Sequence, residues 1–213
     1  HRAVFSKKKK NVLVINIGGI SNFTFLNGKK KFFASDIGPG NTLIDEFCYK
    51  NFNKSYDFNG NLAKKGKIKF ELIDLWLKNK IFFGKFPKSF DTQDFNFINS
   101  RNYKTHSAYD ILRTLTFFSA KLISMIKMSI NFKIDSWVFS GGGVYNSLLM
   151  SDIKKLLIKD KLFISNALGY DSSFVESAAF AYISIRTLKK LPSAFPETTG
   201  CMKKNICGNI HIP

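Results

Sequence analysis

Cysteine is scarce in this sequence: Cys48, Cys201 and Cys207 are the only three in 213 residues. An odd number with no CxxC spacing disfavours a disulfide framework or a zinc site, and a reduced cytoplasmic setting suits it best. Histidine is as sparse. His1, His106 and His211 stand far apart, which removes most metal and His-based triad readings, and no metal site of the protein's own is expected. Arginine is nearly absent: of 33 basic residues only Arg2, Arg101, Arg113 and Arg186 are not lysine. A formal charge of +18 would otherwise suggest nucleic acid, but phosphate and base readers favour arginine forks. Here the lysines are scattered through every segment, beside abundant Asn, Ile and Phe, as in proteins of AT-rich genomes. The expectation is no nucleic-acid partner; a nonenzymatic lysine-rich domain that binds a polyanion is the alternative from a different class. No apolar run approaches the roughly 20 residues of a membrane span, so no membrane partner is expected. The opening HRAVFSKKKK has no signal-peptide form. It reads as the middle of a longer protein, with residues 1–10 a linker from a preceding half.

What is present is an ordinary globular composition, 45% hydrophobic, enough for one sizeable domain. Its organising stretch is residues 16–41, NIGGISNFTFLNGKKKFFASDIGPGN. The preceding run NVLVINI (11–17) has the form of a buried strand, ended by Gly18-Gly19. Residues 22–26 alternate polar and apolar, Asn27-Gly28 is a strong hairpin signal, and 31–34 returns antiparallel. Asp36 and Gly38-Pro39-Gly40 then lead into a helix over 40–52, with Leu43, Ile44, Phe47 and Cys48 on one face and Asn41 at its N-cap.

Further along, 53–66 reads as loop, 67–79 as helix and 81–94 as a loop packed down by aromatics. Apolar residues at spacings of three and four from Ile111 to Ile126 predict a long helix over 107–131. SWVFS (136–140) is a short strand running into Gly141-Gly142-Gly143, followed by a helix over 144–157, a strand over 162–165 and a helix over 173–188. The small residues of that last helix, Ser177, Ala178, Ala179 and Ala181, predict close packing on a sheet. The order is α/β: one mixed sheet with helices on both faces. The domain spans 11–191, with a helical and loop insertion at about 53–106 and a tail over 192–213 packed on it.

Each chemistry-bearing motif has a functional and a structural reading. Gly18-Gly19 can present backbone amides to phosphate, or can simply turn the chain. Gly141, Gly142 and Gly143 can form a nucleotide platform at a helix start, or a close strand-to-helix connection; Asn146 can serve that platform or cap the helix. Asp36 is a carboxylate poised between a strand and a turn, or an Asx turn. Asn41 and Asp45 have helix capping and dipole complementation as sufficient structural roles. Lys88 can meet a substrate anion, though among so many lysines solvent is its ordinary place.

These motifs together resemble one family, the anhydro-N-acetylmuramic acid kinases, within the actin, hexokinase and Hsp70 superfamily. NIGGISN (16–22) is similar to the family's NIGGIAN, DIGPGN (36–41) to DTGPGN, and LID (43–45) to LID or LMD. FPKS (86–89) resembles PPKS, SGGG (140–143) with Asn146 resembles CGGG and its asparagine, and GYDSSFVESAAFAY (169–182) resembles a GxxxxxxEAxAFAW segment. TTGC (198–201) echoes a terminal TTGA. The resemblance implies a ribonuclease H-like sheet forming one half of a two-domain actin/hexokinase-type kinase, with ATP and Mg²⁺ as cofactors. It implies ATP contacts at Asn16, Gly18, Gly19, Gly141, Gly142, Gly143 and Asn146, a general base at Asp36, and sugar contacts at Asn22, Gly38, Asn41, Asp45 and Glu176. The reaction implied is opening of 1,6-anhydro-N-acetylmuramic acid with phosphorylation at O6, in cytoplasmic recycling of cell-wall sugars by a homodimer; another sugar kinase of the superfamily is the nearer alternative. The family's GTSxDG phosphate loop has no counterpart in these residues, so a C-terminal part is expected, inactive alone. Two departures stand out: Ile37 replaces a threonine, and FDTQ (90–93) replaces the frequent TGRE.

Overall fold

The structure is a computed structural model that describes residues 1–6, 10–28, 31–99, 103 and 105–211. Parts of the expected 1–10 linker and 53–106 insertion lie outside the described residues. After a one-turn helix α1 (Arg2–Phe5), strands β1 (Asn11–Ile17), β2 (Ile20–Asn27) and β3 (Lys31–Pro39) form an antiparallel meander. Helices α2 (Thr42–Phe52), α3 (Phe70–Leu77) and α4 (Ala108–Ser129) follow, then β4 (Ser136–Ser140), α5 (Ser147–Leu156), β5 (Leu162–Ile164), α6 (Val175–Leu188) and α7 (Pro196–Thr199). The strand order is β3-β2-β1-β4-β5, with β4 parallel to β1 and β5 parallel to β4. That is the ribonuclease H-like mixed α/β sheet expected from the sequence.

The two sheet faces differ sharply. Alternation along β1 sends Leu13, Ile15 and Ile17 into the main core with Phe23, Phe25, Trp137 and Phe139. That core continues through the buried faces of α2 to α5. The 53–106 region belongs to it: Ala63, Leu72, Ile73, Trp76, Phe82, Phe95 and Ile98 are all buried there. Burying each of the larger of these side chains contributes about 1.5–3 kcal/mol. The opposite face carries a small cluster, Val12, Val14, Leu26 and Val138 with Phe5 of α1.

Local chemistry accounts for the element ends. Ser107 caps α4, its hydroxyl accepting from the Asp110 amide at 3.1 Å. Arg113 of α4 donates to both oxygens of buried Asp152 of α5, at 2.6 and 2.9 Å, the bidentate form that fixes orientation as well as charge. Asp57, also buried, accepts from the Leu62 and Ala63 amides and shapes the loop after α2.

Three expectations change. The helix foreseen over 144–157 is a 3₁₀ turn at Gly142–Tyr145 followed by α5, because Asn146 leaves helical conformation and accepts from the Leu149 amide at 3.1 Å. Asn41 occupies the N-cap position of α2, but its side chain makes no capping bond. The small residues of α6 do not pack on the sheet: none of its residues is buried, and Ser177, Ala178 and Ala181 are exposed beside Phe174, Phe180, Ile185 and Leu188. Only one side of α6, through Val175, Ala179 and Ile183, is half-buried.

Candidate functional site

The site is assembled where the second face of the sheet changes from apolar to polar. Along β1 that face reads Val12, Val14, Asn16; along β2 it reads Leu26, Thr24, Asn22. On β3 it reads Phe32, Ala34, Asp36, and on β4 Val138, Ser140. Register pairs Asp36 with Asn22, Asn22 with Asn16 and Asn16 with Ser140. The last polar residue of each strand therefore stands in one transverse row, at the carboxyl ends of the parallel strands β1 and β4, where open α/β sheets bind ligands. Asn16, Asn22 and Asp36 are half-buried. Among the described residues neither asparagine carboxamide has a hydrogen-bond partner, and Asp36 uses one oxygen, accepting from the Phe90 amide at 2.9 Å.

Both glycine turns border this row. The Gly18 carbonyl accepts from the Asn41 amide at 2.9 Å, and the Gly19 carbonyl accepts from Gly40 and Thr42 at 2.8 and 3.1 Å. The amides of Gly40, Asn41 and Thr42, which lead into α2, are thus taken up by the Gly18-Gly19 turn. Because Gly18 C=O and Gly19 N–H belong to one planar trans peptide, fixing the carbonyl toward α2 directs the Gly19 amide the opposite way. Gly19 is exposed there, and its N–H has no acceptor among the described residues. Gly40 is obligatory for this interlock: a Cβ on it would lie 2.4 Å from the Gly18 oxygen. Its carbonyl is held in turn by the Ser119 hydroxyl of α4 at 2.9 Å.

The second turn sits beside Asn16. Gly141 has a φ of +85°, a left-handed conformation that favours glycine, and a Cβ there would come within 2.5 Å of Asn16 Oδ1. Gly142 projects into open space, whereas Gly143 is buried against Ile17. Asn16 thus lies between the two glycine turns, and the structure brings Asn16, Gly18, Gly19, Asn22, Asp36, Gly141 and Gly142 to one end of the sheet. Asn41 precedes α2 with its amide bonded to the Gly18 carbonyl, and Asp45 lies in the first turn of that helix. Gly38 is adjacent but buried, with Leu122 and Phe82 behind it. Asn146 is buried in its capping role, and Glu176 is exposed on the first turn of α6, with no hydrogen bond or ion pair to the row among the described residues.

Burial sets the electrostatics. Desolvation pushes the Asp36 carboxyl above the ordinary aspartate range, partly opposed by the Phe90 amide. Asp45 is raised further, to about 6, by burial and then by the Asp57 charge. Cys48, beneath both, is pushed up to about 12 by burial and the same two carboxylates, an unreactive thiol. Lys88 is not in solvent: half-buried, its ammonium donates to the Phe82 carbonyl at 2.9 Å between the rings of Phe86 and Phe90, and burial lowers its pKa. Among the described residues no group of three or more His, Cys, Asp or Glu side chains could hold a metal ion.

Sequence reasoning missed Ser140, Ser119 and the Phe90 amide. Ser140 was recoverable from alternation, as the polar end of SWVFS; the other two depend on contacts between distant segments and have no local signal.

A model of the anhydro-N-acetylmuramic acid kinase family matches residues 1–213. Curated relatives of that name include those of Rhodopseudomonas palustris (34% identical over 202 residues, 94% of this chain and 54% of the relative) and Clostridioides difficile strain 630 (35% over 219, 97% and 57%). The Bacillus cereus ATCC 10987 relative is 35% identical over 216 residues, 96% of this chain and 56% of its own. The chain spans about half the length of the curated relatives it matches. Among solved structures, component A of the Acidaminococcus fermentans (R)-2-hydroxyglutaryl-CoA dehydratase is similar at 13% identity and a TM-score of 0.45, over 71% of this chain and 54% of that one. With the two glycine turns and Asp36 inside a match that runs the whole chain, the protein belongs to the anhydro-N-acetylmuramic acid kinase family.

Proposed function

We propose that this chain supplies one half of the active site of an ATP-dependent kinase that hydrolytically opens 1,6-anhydro-N-acetylmuramic acid and phosphorylates it to N-acetylmuramic acid 6-phosphate. The observation that carries the reading is the row Asp36, Asn22, Asn16, Ser140 between two glycine turns, in a chain of this family. Asp36 is the general base. Its free oxygen takes a proton from the water that attacks C1; the C1–O6 bond breaks, and O6 accepts the γ-phosphoryl group as ADP leaves. A carboxylate on the far face of the ring is the arrangement that inverting acetal hydrolysis requires.

The unpartnered Gly19 amide and the Gly141-Gly142 turn face the nucleotide phosphates, an assignment supported by the direction of the Gly18-Gly19 peptide. Asn16 lies between phosphate and sugar, and Asn22 and Asn41 meet the sugar. Mg²⁺ fits as a nucleotide-borne ion, since it keeps phosphate and water ligands and needs only one or two carboxylates; when bound it neutralises charge developing on the phosphoryl oxygens. Asp45 and Glu176 are secondary sugar contacts, Glu176 reaching substrate only from α6 when the site is closed. Domain organisation follows the same reading, with 11–191 as the kinase half-unit, 192–213 packed on it, and the family-length protein acting in the cytoplasm as a homodimer. Among the described residues no helix is long and apolar enough to cross a membrane.

The test is ADP release by the family-length protein with ATP and 1,6-anhydro-N-acetylmuramic acid. Asp36→Asn is expected to lower turnover by roughly 10² or more with nucleotide binding retained. Turnover within a few fold of wild type rules out Asp36 as the base, and activity on ordinary hexoses but not on the anhydro sugar replaces the substrate assignment.

A further inference from the structure

The segment 86–90 runs along the outer edge of β3, the edge strand of the sheet, and is bonded to it at one place. The Asp36 amide donates to the Lys88 carbonyl at 3.0 Å, and the Lys88 amide donates to the Ser35 hydroxyl at 2.8 Å. The Phe90 amide then donates to Asp36 Oδ2 at 2.9 Å. Ser35 is buried, and its own proton is directed to the Asp36 carbonyl at 3.0 Å. Phe86 anchors the other end, edge-on to Phe23 at 4.9 Å and stacked on Phe33 at 6.1 Å, while Phe90 packs on Phe95 at 5.6 Å. The Lys88 ammonium ties the strap to the preceding turn through the Phe82 carbonyl.

We infer that the strap 86–90 is the positioning element of Asp36: the Phe90 amide pins one carboxylate oxygen and holds the other toward the row of Asn22 and Asn16, with Ser35 fixing the strap in register. The inference rests on the base assignment above for its catalytic meaning, but the strap's grip on the carboxylate stands or falls independently. Lys88 is part of this clamp rather than a ligand for a substrate anion. Three physical points support the assignment. An edge strand leaves alternate amides and carbonyls unpaired, and the strap uses that edge only at Ser35 and Asp36. A carboxylate held by one N–H keeps its second oxygen free as a proton acceptor, and one that is unheld rotates about χ2, which is a broad torsion. Nothing else is seen to hold the carboxylate: among the described residues no cation pairs with Asp36, and Lys88, the one charged group of the strap, is turned to Phe82.

The experiment replaces a single atom. Exchanging Phe90 for its α-hydroxy analogue converts the amide to an ester, deleting the N–H and keeping the ring and backbone path. The Asp36 carboxyl is then titrated by NMR in this chain, beside Ser35→Ala. Because a hydrogen bond to the charged form lowers a carboxyl pKa, its removal is expected to raise the Asp36 midpoint by about 0.5–1 pH unit; Ser35→Ala is expected to do the same by loosening the strap. In the family-length enzyme the acidic limb of kcat moves up by the same amount and kcat falls about tenfold, with KM for sugar changed less than twofold. An unmoved Asp36 midpoint in the ester overturns the positioning role, whatever the activity. A moved midpoint with unaltered turnover keeps the strap's grip and removes its catalytic meaning, the same outcome that an active Asp36→Asn enzyme gives from the other side.

Discussion

The two faces of the sheet are built from the same strands by the same alternation, yet they do different work. The face beneath α2 to α5 is closed: Trp76, Phe118 and Phe139 are fully buried, Trp76 and Phe82 meeting Phe118 edge to face and Trp137 stacking parallel on Phe139. The other face has five buried residues in its cluster and ends in polar side chains. It also opens on a cleft of about 940 Å³ between the sheet, α1, α6 and α7, lined by Thr24, Ala34, Phe174 and Ala178 among others. The closed face holds the strands in register; the open one can therefore carry unpartnered asparagines and a raised aspartate without unfolding the domain.

The comparison is tested most severely by truncating one large side chain on each face. Phe118→Ala, on the closed face against Trp76 and Phe82, is expected to lose about 3–5 kcal/mol. Leu26→Ala on the open face should lose about 2 kcal/mol, at the low end for such changes, because a face beside a cleft can relax into the space left. Urea unfolding of the two variants measures the difference, and equal losses would erase the distinction.

A smaller effect comes from pH. Asp45 is raised to about 6 in the folded chain, so the folded state holds a proton there that the unfolded chain releases near pH 4. Stability from this group is complete below the unfolded value and is lost as pH rises through about 6. With Asp45 half-exposed and solvent-screened, the loss is on the order of 1 kcal/mol. Asp45→Asn should flatten the stability profile between about pH 4 and 6 on thermal scans, and an unchanged slope would mean another group carries it.

The smallest change is expected on the outward side of α6. Phe180 is 65% exposed, and Phe180→Ser should alter the stability of this chain by no more than about 0.5 kcal/mol. A loss of several times that would show that α6 is packed against something in solution.

How much of this could be read beforehand follows from where each signal lies. Local patterning carried the β1–β2–β3 meander, α4 and the strand-glycine turn after β4, since alternation and 3.6-residue spacing are properties of contiguous residues. The grouping of Asn16, Asp36 and Gly141 came from family motifs; the spatial reason, a shared sheet row, needed strand register. Small residues at 177–181 suggested a packed helix, but composition cannot say which partner a small-residue face meets. Ser35, Ser119 and the Phe90 amide are ordinary residues in their own segments, and only long-range contacts make them part of the site.

The peptide between Gly18 and Gly19 has one further consequence. Its oxygen is fastened to the Asn41 amide at the start of α2 and its nitrogen points the opposite way, so the proposed anion contact and the anchoring of α2 share a hinge pin with no play. A substitution that tilts this plane misaims the anion contact and the Asp36 turn in one movement, and a change at either glycine or at Gly40 cannot be repaired by adjusting one side alone.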